Sequence, residues 1–164
     1  MAETSYSDAP VKIPPHDLDA EEAVLGSCLI DPEAIHKVAV YLKPQDFYRD
    51  KNRWAYECCL AAIPNVTDQI TIAHELAKRN QLEAAGGAAY LSHLVSSTPS
   101  AVHIEHYAGI VHKLGFMRQL ISVANHIAAI AYEIPSIDDA NARVDHIIAK
   151  LRNGSEGNRG GFTL

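Results

Sequence analysis

The chain has 164 residues, 48% of them apolar, 7% aromatic and 21% charged, enough to bury one modest core and too apolar to stay disordered. Lys+Arg of 14 against Asp+Glu of 20 leave a formal net charge of −6, which argues against a dedicated grip on a phosphate backbone unless the basic residues gather on one face. No run approaches the roughly 20 apolar residues of a membrane span, and Met1–Lys12 lacks the basic-then-apolar order of a secretory signal, so a cytosolic protein is expected.

From Met1 to Pro15 the chain is polar and punctuated by Pro10, Pro14 and Pro15, which predicts a flexible arm. A first helix then begins behind Asp17 or Asp19, with Glu21 and Glu22 in its opening turn and Leu18, Val24, Leu25, Cys28 and Leu29 at helical spacing, ending near Asp31. Pro32 suits the first position of a second helix with Ile35, Val38, Ala39 and Leu42 on its apolar face, stopped by Pro44. Trp54, Ala55, Cys58, Ala61 and Ala62 trace a third across 51–63, broken by Pro64 and Asn65. Thr71 to Arg79 is a short fourth, and Gly86-Gly87 precede a fifth through Tyr90, Leu91 and Leu94. Period-two alternation is absent, so residues 16–100 read as a small globular helical bundle.

The next segment differs in kind. Val102 to Tyr132 contains no proline and predicts one helix on the order of 45 Å long. Pro135 ends it, Ser136 and Asp139 make a capping signature, and Ala140, Val144, Ile147, Ile148 and Leu151 mark a return helix. The short loop makes residues 101–152 an antiparallel helical hairpin. The glycine-rich stretch 153–164 reads as linker or tail. The expected class is therefore all-α: a globular bundle followed by a long antiparallel hairpin.

The long helix carries a partner signal. Tyr107, Ile110, Val111, Leu114, Met117, Ile121 and Ala128 form one apolar stripe. Phe116, Leu120, Val123, Ile127 and Ile130 form a second, confined to the distal half. Two stripes require two neighbours, and the return helix supplies one. These five residues are the candidate interface with a second copy of the chain. Gly115, at the onset of the second stripe, predicts a bend or a close helix approach.

Chemistry-bearing motifs are scarce. The phosphate-cradling loop Gly-x-x-x-x-Gly-Lys-[Ser/Thr] and the dinucleotide fingerprint are absent, so catalysis of nucleotide hydrolysis by this chain is not expected, nor is a cofactor. Cys28, Cys58 and Cys59 are an odd set and imply no disulfide framework, and Asn65-Val66-Thr67 is a sequon without a secretory context. His103 and His106, with His112 further along, supply too few ligands for an ordinary zinc site, although a metal-dependent enzyme centred there is an alternative class. Lys113, Arg118, Arg143, Lys150 and Arg152 form a weak basic strip without interleaved aromatics, so little direct nucleic-acid binding is expected.

The run Pro14-Pro15-His16-Asp17-Leu18-Asp19-Ala20-Glu21-Glu22-Ala23-Val24-Leu25-Gly26, then Leu29-Ile30-Asp31, resembles the opening of DnaB-type bacterial replicative helicases. Asp46-Phe47-Tyr48, Ile70-Thr71, Gln81-Leu82, Gly86-Gly87-Ala88-Ala89-Tyr90-Leu91, Thr98-Pro99-Ser100-Ala101, Tyr107-Ala108-Gly109-Ile110-Val111, Arg118-Gln119-Leu120-Ile121 and Ala124-Asn125 extend the likeness, in order, over residues 14 to 150. The resemblance implies a non-catalytic N-terminal collar domain, assembled as a hexamer that is a trimer of dimers, and docking the primase C-terminal domain and, by extension, a helicase loader. The chain departs from the full family by ending before any motor domain. A stand-alone adaptor or inhibitor that engages a helicase or primase is the alternative.

Overall fold

The computed structural model describes residues 12–156. Most of the expected arm, and the end of the expected tail, lie outside them. Helix α1 (Leu18–Ile30) starts behind Asp17, which is extended (φ −142°, ψ 97°) and whose carboxylate accepts from Ala20 N at 2.9 Å, satisfying one of the free first-turn amides. Val24, Leu25 and Cys28 turn inward and are fully buried. Helix α2 (Ala34–Val38) is shorter than its apolar pattern predicts. Asp31 closes a turn over Pro32, its side chain accepting from Glu33 N at 3.0 Å, so the helix starts after the proline. It ends before Leu42, which stays buried on a following turn. Residues before a proline avoid the helical region, and Lys43 is extended ahead of a 3-10 turn at Pro44–Asp46.

Three helices complete the bundle near their expected places: α3 (Asp50–Ala62), α4 (Gln69–Lys78), capped by the Asp68 carboxylate on Thr71 N, and, after a single-turn helix α5 (Leu82–Ala85) that periodicity did not signal, α6 (Gly87–Ser97). Gly86, with φ +111°, reverses the chain between α5 and α6 in a conformation that glycine adopts without steric penalty. Helix α7 (Ile104–Tyr132) is continuous, and α8 (Ile137–Glu156) returns beside it, continuing past Gly154 into the stretch read as linker. Among the described residues there is no strand, and no helix is long and apolar enough to cross a membrane.

Helix α1 is the hub, packed against α3, α6 and α7. At Gly26 a Cβ atom would lie 2.5 Å from Leu94 O, so α1 and α6 meet backbone to backbone. The deepest polar group is Glu21, which is 1% exposed and accepts from Tyr48 N at 2.5 Å, Arg49 N at 3.4 Å and Asn52 Nδ2 at 2.8 Å. Asn52 Oδ1 in turn accepts from Tyr90 O–H at 2.6 Å. One carboxylate thus ties α1, the loop before α3, α3 and α6 together. Burial raises the Tyr56 and Tyr90 phenols above their usual range, keeping both as donors. It likewise pushes the Cys58 thiol up to about 11, and all three cysteines are buried and unbridged.

Replacing Glu21 by alanine leaves these donors without an acceptor inside the core and is expected to cost about 3 kcal/mol in chemical denaturation. Asp19→Ala, exposed on the same helix, is expected to change stability by less than about 0.5 kcal/mol. Equal midpoints for the two variants would contradict the role given to Glu21.

Candidate protein interface

Helix α7 is anchored in the bundle core through Ile104, Ala108 and Val111 and leaves the bundle at Gly115. A Cβ at Gly115 would lie 2.7 Å from both Asp46 Cα and Asp46 Oδ1, so the 3-10 turn rests directly on the helix backbone. The close approach predicted at Gly115 exists, and it is made by this turn rather than by a second helix. Asp46, itself buried, accepts through Oδ2 from Lys43 N at 3.0 Å and from His112 Nδ1 at 3.0 Å. Arg118 donates to Asp46 O at 2.5 Å and to Pro15 O at 2.7 Å, and its guanidinium lies 5.5 Å from the Tyr48 ring centre. The Tyr48 ring also stacks with His16, centroids 4.1 Å apart. Burial pulls the Arg118 guanidinium below the usual arginine range, opposed by Glu21 and Asp46.

Beyond Arg118 every residue of α7 is exposed or half-buried except Ile130, which is 5% exposed. Helix α8 lies over one side of this stretch. The crevices between the two helices, about 520 and 430 Å³, are lined on α7 by Gln119, Val123, His126 and Ile130 and on α8 by Arg143, His146 and Ile147. At roughly 100° per residue, Met117, Leu120, Ile121, Ala124, Ala128 and Ala131 fall on the opposite side. All six are exposed, and Leu120 is 45% exposed. No residue of α8 from 137 to 154 is buried. The distal hairpin thus shelters a mixed polar and apolar seam and leaves its more uniformly apolar side uncovered.

The five sequence-predicted interface residues divide between these surfaces. Leu120 stands on the uncovered face. Phe116 and Ile127 are half-buried on its shoulder, while Val123 and Ile130 turn toward α8. Met117, Ile121 and Ala128, from the other stripe, share the face with Leu120. Which stripe meets α8 depends on the hairpin turn. Ser136 Oγ accepts from Asp139 N at 3.1 Å, and Arg143 donates to Glu133 at 2.7 Å, setting α8 over the His126 and Ile130 side. The Glu133 carboxyl is held below the usual carboxylate range by that bond. This tie is therefore complete above the ordinary carboxylate pKa and is lost as the pH falls through the lowered value.

The histidines singled out as possible ligands are dispersed in role: His112 bonds Asp46, His106 meets the Tyr107 ring edge-on, and His103 precedes the first turn of α7. Among the described residues no three His, Cys, Asp or Glu side chains converge to hold a metal. Of the basic strip, Arg118 and Arg143 are engaged within the chain.

The family described as DnaB-like helicase N terminal domain matches residues 13–113. The chain is 34% identical over 151 residues to the replicative DNA helicase DnaB of Geobacillus stearothermophilus, covering 88% of this chain and 33% of that protein. It is 37% identical over 123 residues to the replicative DNA helicase DnaC of Bacillus subtilis, covering 74% and 27% respectively. It therefore spans about a third of the length of these relatives. Among solved structures it is similar to the N-terminal domain of DnaB helicase from Mycobacterium tuberculosis, with a TM-score of 0.81, 33% identity and coverage of 85% of this chain and 99% of that one. It is also similar to a DnaB-like replicative helicase described with its interactions with primase, with a TM-score of 0.67, 27% identity and coverage of 81% and 31%.

The two kinds of apolar residue separate by mutation. Ile130→Asp places a charge in the seam and is expected to destabilise the hairpin by about 3 kcal/mol. Leu120→Asp is expected to leave thermal stability of the isolated chain at low concentration within about 0.5 kcal/mol. The reverse order in dilute thermal melts would show that α8 covers the other side.

Proposed function

Because the chain belongs to the family of DnaB-like helicase N-terminal domains, we propose that it is the non-catalytic collar of a cytoplasmic replicative DNA helicase. It pairs through its distal hairpins, contributes to a six-membered ring built as three dimers, and receives the primase C-terminal domain on the hairpin surface. The observation that carries this reading is the uncovered face of α7 around Leu120. Each large side chain buried there contributes roughly 1.5–3 kcal/mol before ordering costs, enough in sum to favour a second copy over water.

The face has a direction. Met117, Leu120 and Ile121 are bulky and lie near the bundle, whereas Ala124, Ala128 and Ala131 are small and lie toward the turn. Two copies laid antiparallel about a twofold axis near Ala124 set Leu120 against the partner's Ala128 and Met117 against the partner's Ala131. Bulk then meets hollow at these two levels on each side of the axis, while Ala124 faces its own copy and lets the two backbones approach, as close packing demands. A parallel pairing would oppose bulk to bulk at one end and leave voids at the other. Phe116 and Ile127 flank this contact, and Val123 and Ile130 support it from the seam. Docking of primase is supported by the similarity to the helicase described with its primase interactions.

Sedimentation of the full chain at tens of micromolar is expected to give about twice the 17.9 kDa chain mass. Leu120→Asp is expected to return it to one chain with its helical circular dichroism unchanged, and a primase C-terminal domain to co-sediment with the parent. A parent that stays monomeric, or a Leu120→Asp variant that stays paired, overturns the hairpin-pairing assignment. A paired parent that ignores the primase domain overturns the docking assignment alone.

A further inference from the structure

The hairpin turn is built at odds with its own surroundings. Ile134 sits at φ +51°, in the left-handed region that β-branched residues avoid. Its conformation is held by backbone bonds from Glu133 N and Ile134 N into the last turn of α7, by the Ser136 cap and by the Glu133–Arg143 pair. None of this effort hides the side chain. Tyr132, Ile134 and Ile137 are 88%, 86% and 79% exposed, so the tip presents three large apolar groups to solvent around a strained residue. Strain retained where local packing gives nothing in return points to a contact made elsewhere.

The length of the free hairpin indicates where. With a twofold axis near Ala124, Tyr132 stands level with the partner's Phe116, and Ile134 with the partner's Leu114. That is the level at which Gly115 meets the bundle, so the tip reaches the partner where its α7 becomes supported. The surface there is suited to it. Ile110 and Leu114 are half-buried and apolar, and the exposed Lys113 lies between them. At the tip, Glu133, Asp138 and Asp139 outnumber the single Arg143, which pairs with Glu133 and Asp139. The tip is therefore apolar and acidic, and the opposing base is apolar with one exposed lysine, Lys113, while Asp17 and Asp19 share the neighbouring groove with Ile110.

We infer that the Tyr132–Ile137 tip is a clasp: it seats on the base of the partner copy's α7, over Ile110, Lys113 and Leu114, and locks the ends of the antiparallel pair. This rests on the antiparallel pairing proposed above and adds a second contact that pairing alone does not require. The clasp also places each tip beside the partner's bundle, so that hairpin pairing fixes the spacing of the two bundles.

The test uses the full chain with engineered cysteines and a short bismaleimide, the three native thiols being buried. Ala124→Cys reports the twofold axis by linking to its own copy. Lys113→Cys mixed with Ile134→Cys reports the clasp, because each chain carries only one of the two engineered cysteines and a link between them must join two copies. Both links are expected. If Ala124→Cys links and the mixed pair does not, the clasp is wrong and the pairing stands. If Ala124→Cys does not link, the antiparallel reading falls, and the clasp with it. Ile134→Asn separates clasp from turn, because asparagine tolerates the left-handed conformation. Its melting temperature in dilute solution is expected to match or exceed the parent's, while its dimer dissociation constant rises roughly tenfold. A dissociation constant within about a factor of two of the parent's would overturn the inference.

Discussion

Along the distal half of α7 there is one covering helix and apolar surface on more than one side. A helix packed against a single neighbour buries one stripe of its circumference, and α8 takes the side of Val123, His126 and Ile130. Met117, Leu120 and Ile121 are left on the other side. No rearrangement within the hairpin changes that count, because rotating α7 to hide Leu120 would expose Ile130. The uncovered side is thus a geometric consequence of a two-helix projection carrying apolar residues appropriate to a four-helix one.

The projection is useful only if its root is rigid, and the chemistry at Gly115 supplies that rigidity. A helix backbone lying against the Asp46 turn, with His112 and Arg118 bonded to that same residue on either side, fixes the direction in which the hairpin leaves the bundle. The bundle is braced in the same style by Glu21, a buried carboxylate that joins four segments. Such groups are weak sources of net stability, since their desolvation offsets most of the attraction. They are strict about geometry, however, because each broken bond leaves a buried group unsatisfied. That strictness holds the projecting hairpin at a fixed angle to its bundle.

Much of this was legible beforehand. The proline-free run to Tyr132, the Ser136 cap and the glycine pair at 86 and 87 are local signals, and the all-helical class with its terminal hairpin follows from them. By its position Glu21 reads as an ordinary first-turn acid. Its spacing three, four and seven residues before Val24, Leu25 and Cys28 put it on the buried stripe all along, but polarity masked the periodicity. Helix α2 starts late because Asp31 forms the turn that Pro32 is expected to start, and it stops at Val38, ahead of the turn that leads into the extended Lys43 before Pro44. Of the five candidate interface residues, Leu120 is exposed, Phe116 and Ile127 are half-buried, and Val123 and Ile130 turn toward α8. Periodicity reveals that two apolar stripes exist, while the choice of stripe for α8 is made by the Glu133–Arg143 pair and the turn, which are tertiary facts.

Under the proposed pairing, burial of the outer face of α7 stabilises the assembled state by mass action and leaves the monomer's fold unchanged. Methyl resonances of the full chain across a dilution series test this most directly. The Met117, Leu120 and Ile121 methyls should move with concentration while the Ile130 and bundle methyls hold still. Spectra that are identical from dilute solution to tens of micromolar, or movement confined to Ile130 and the α8 side, would contradict the account.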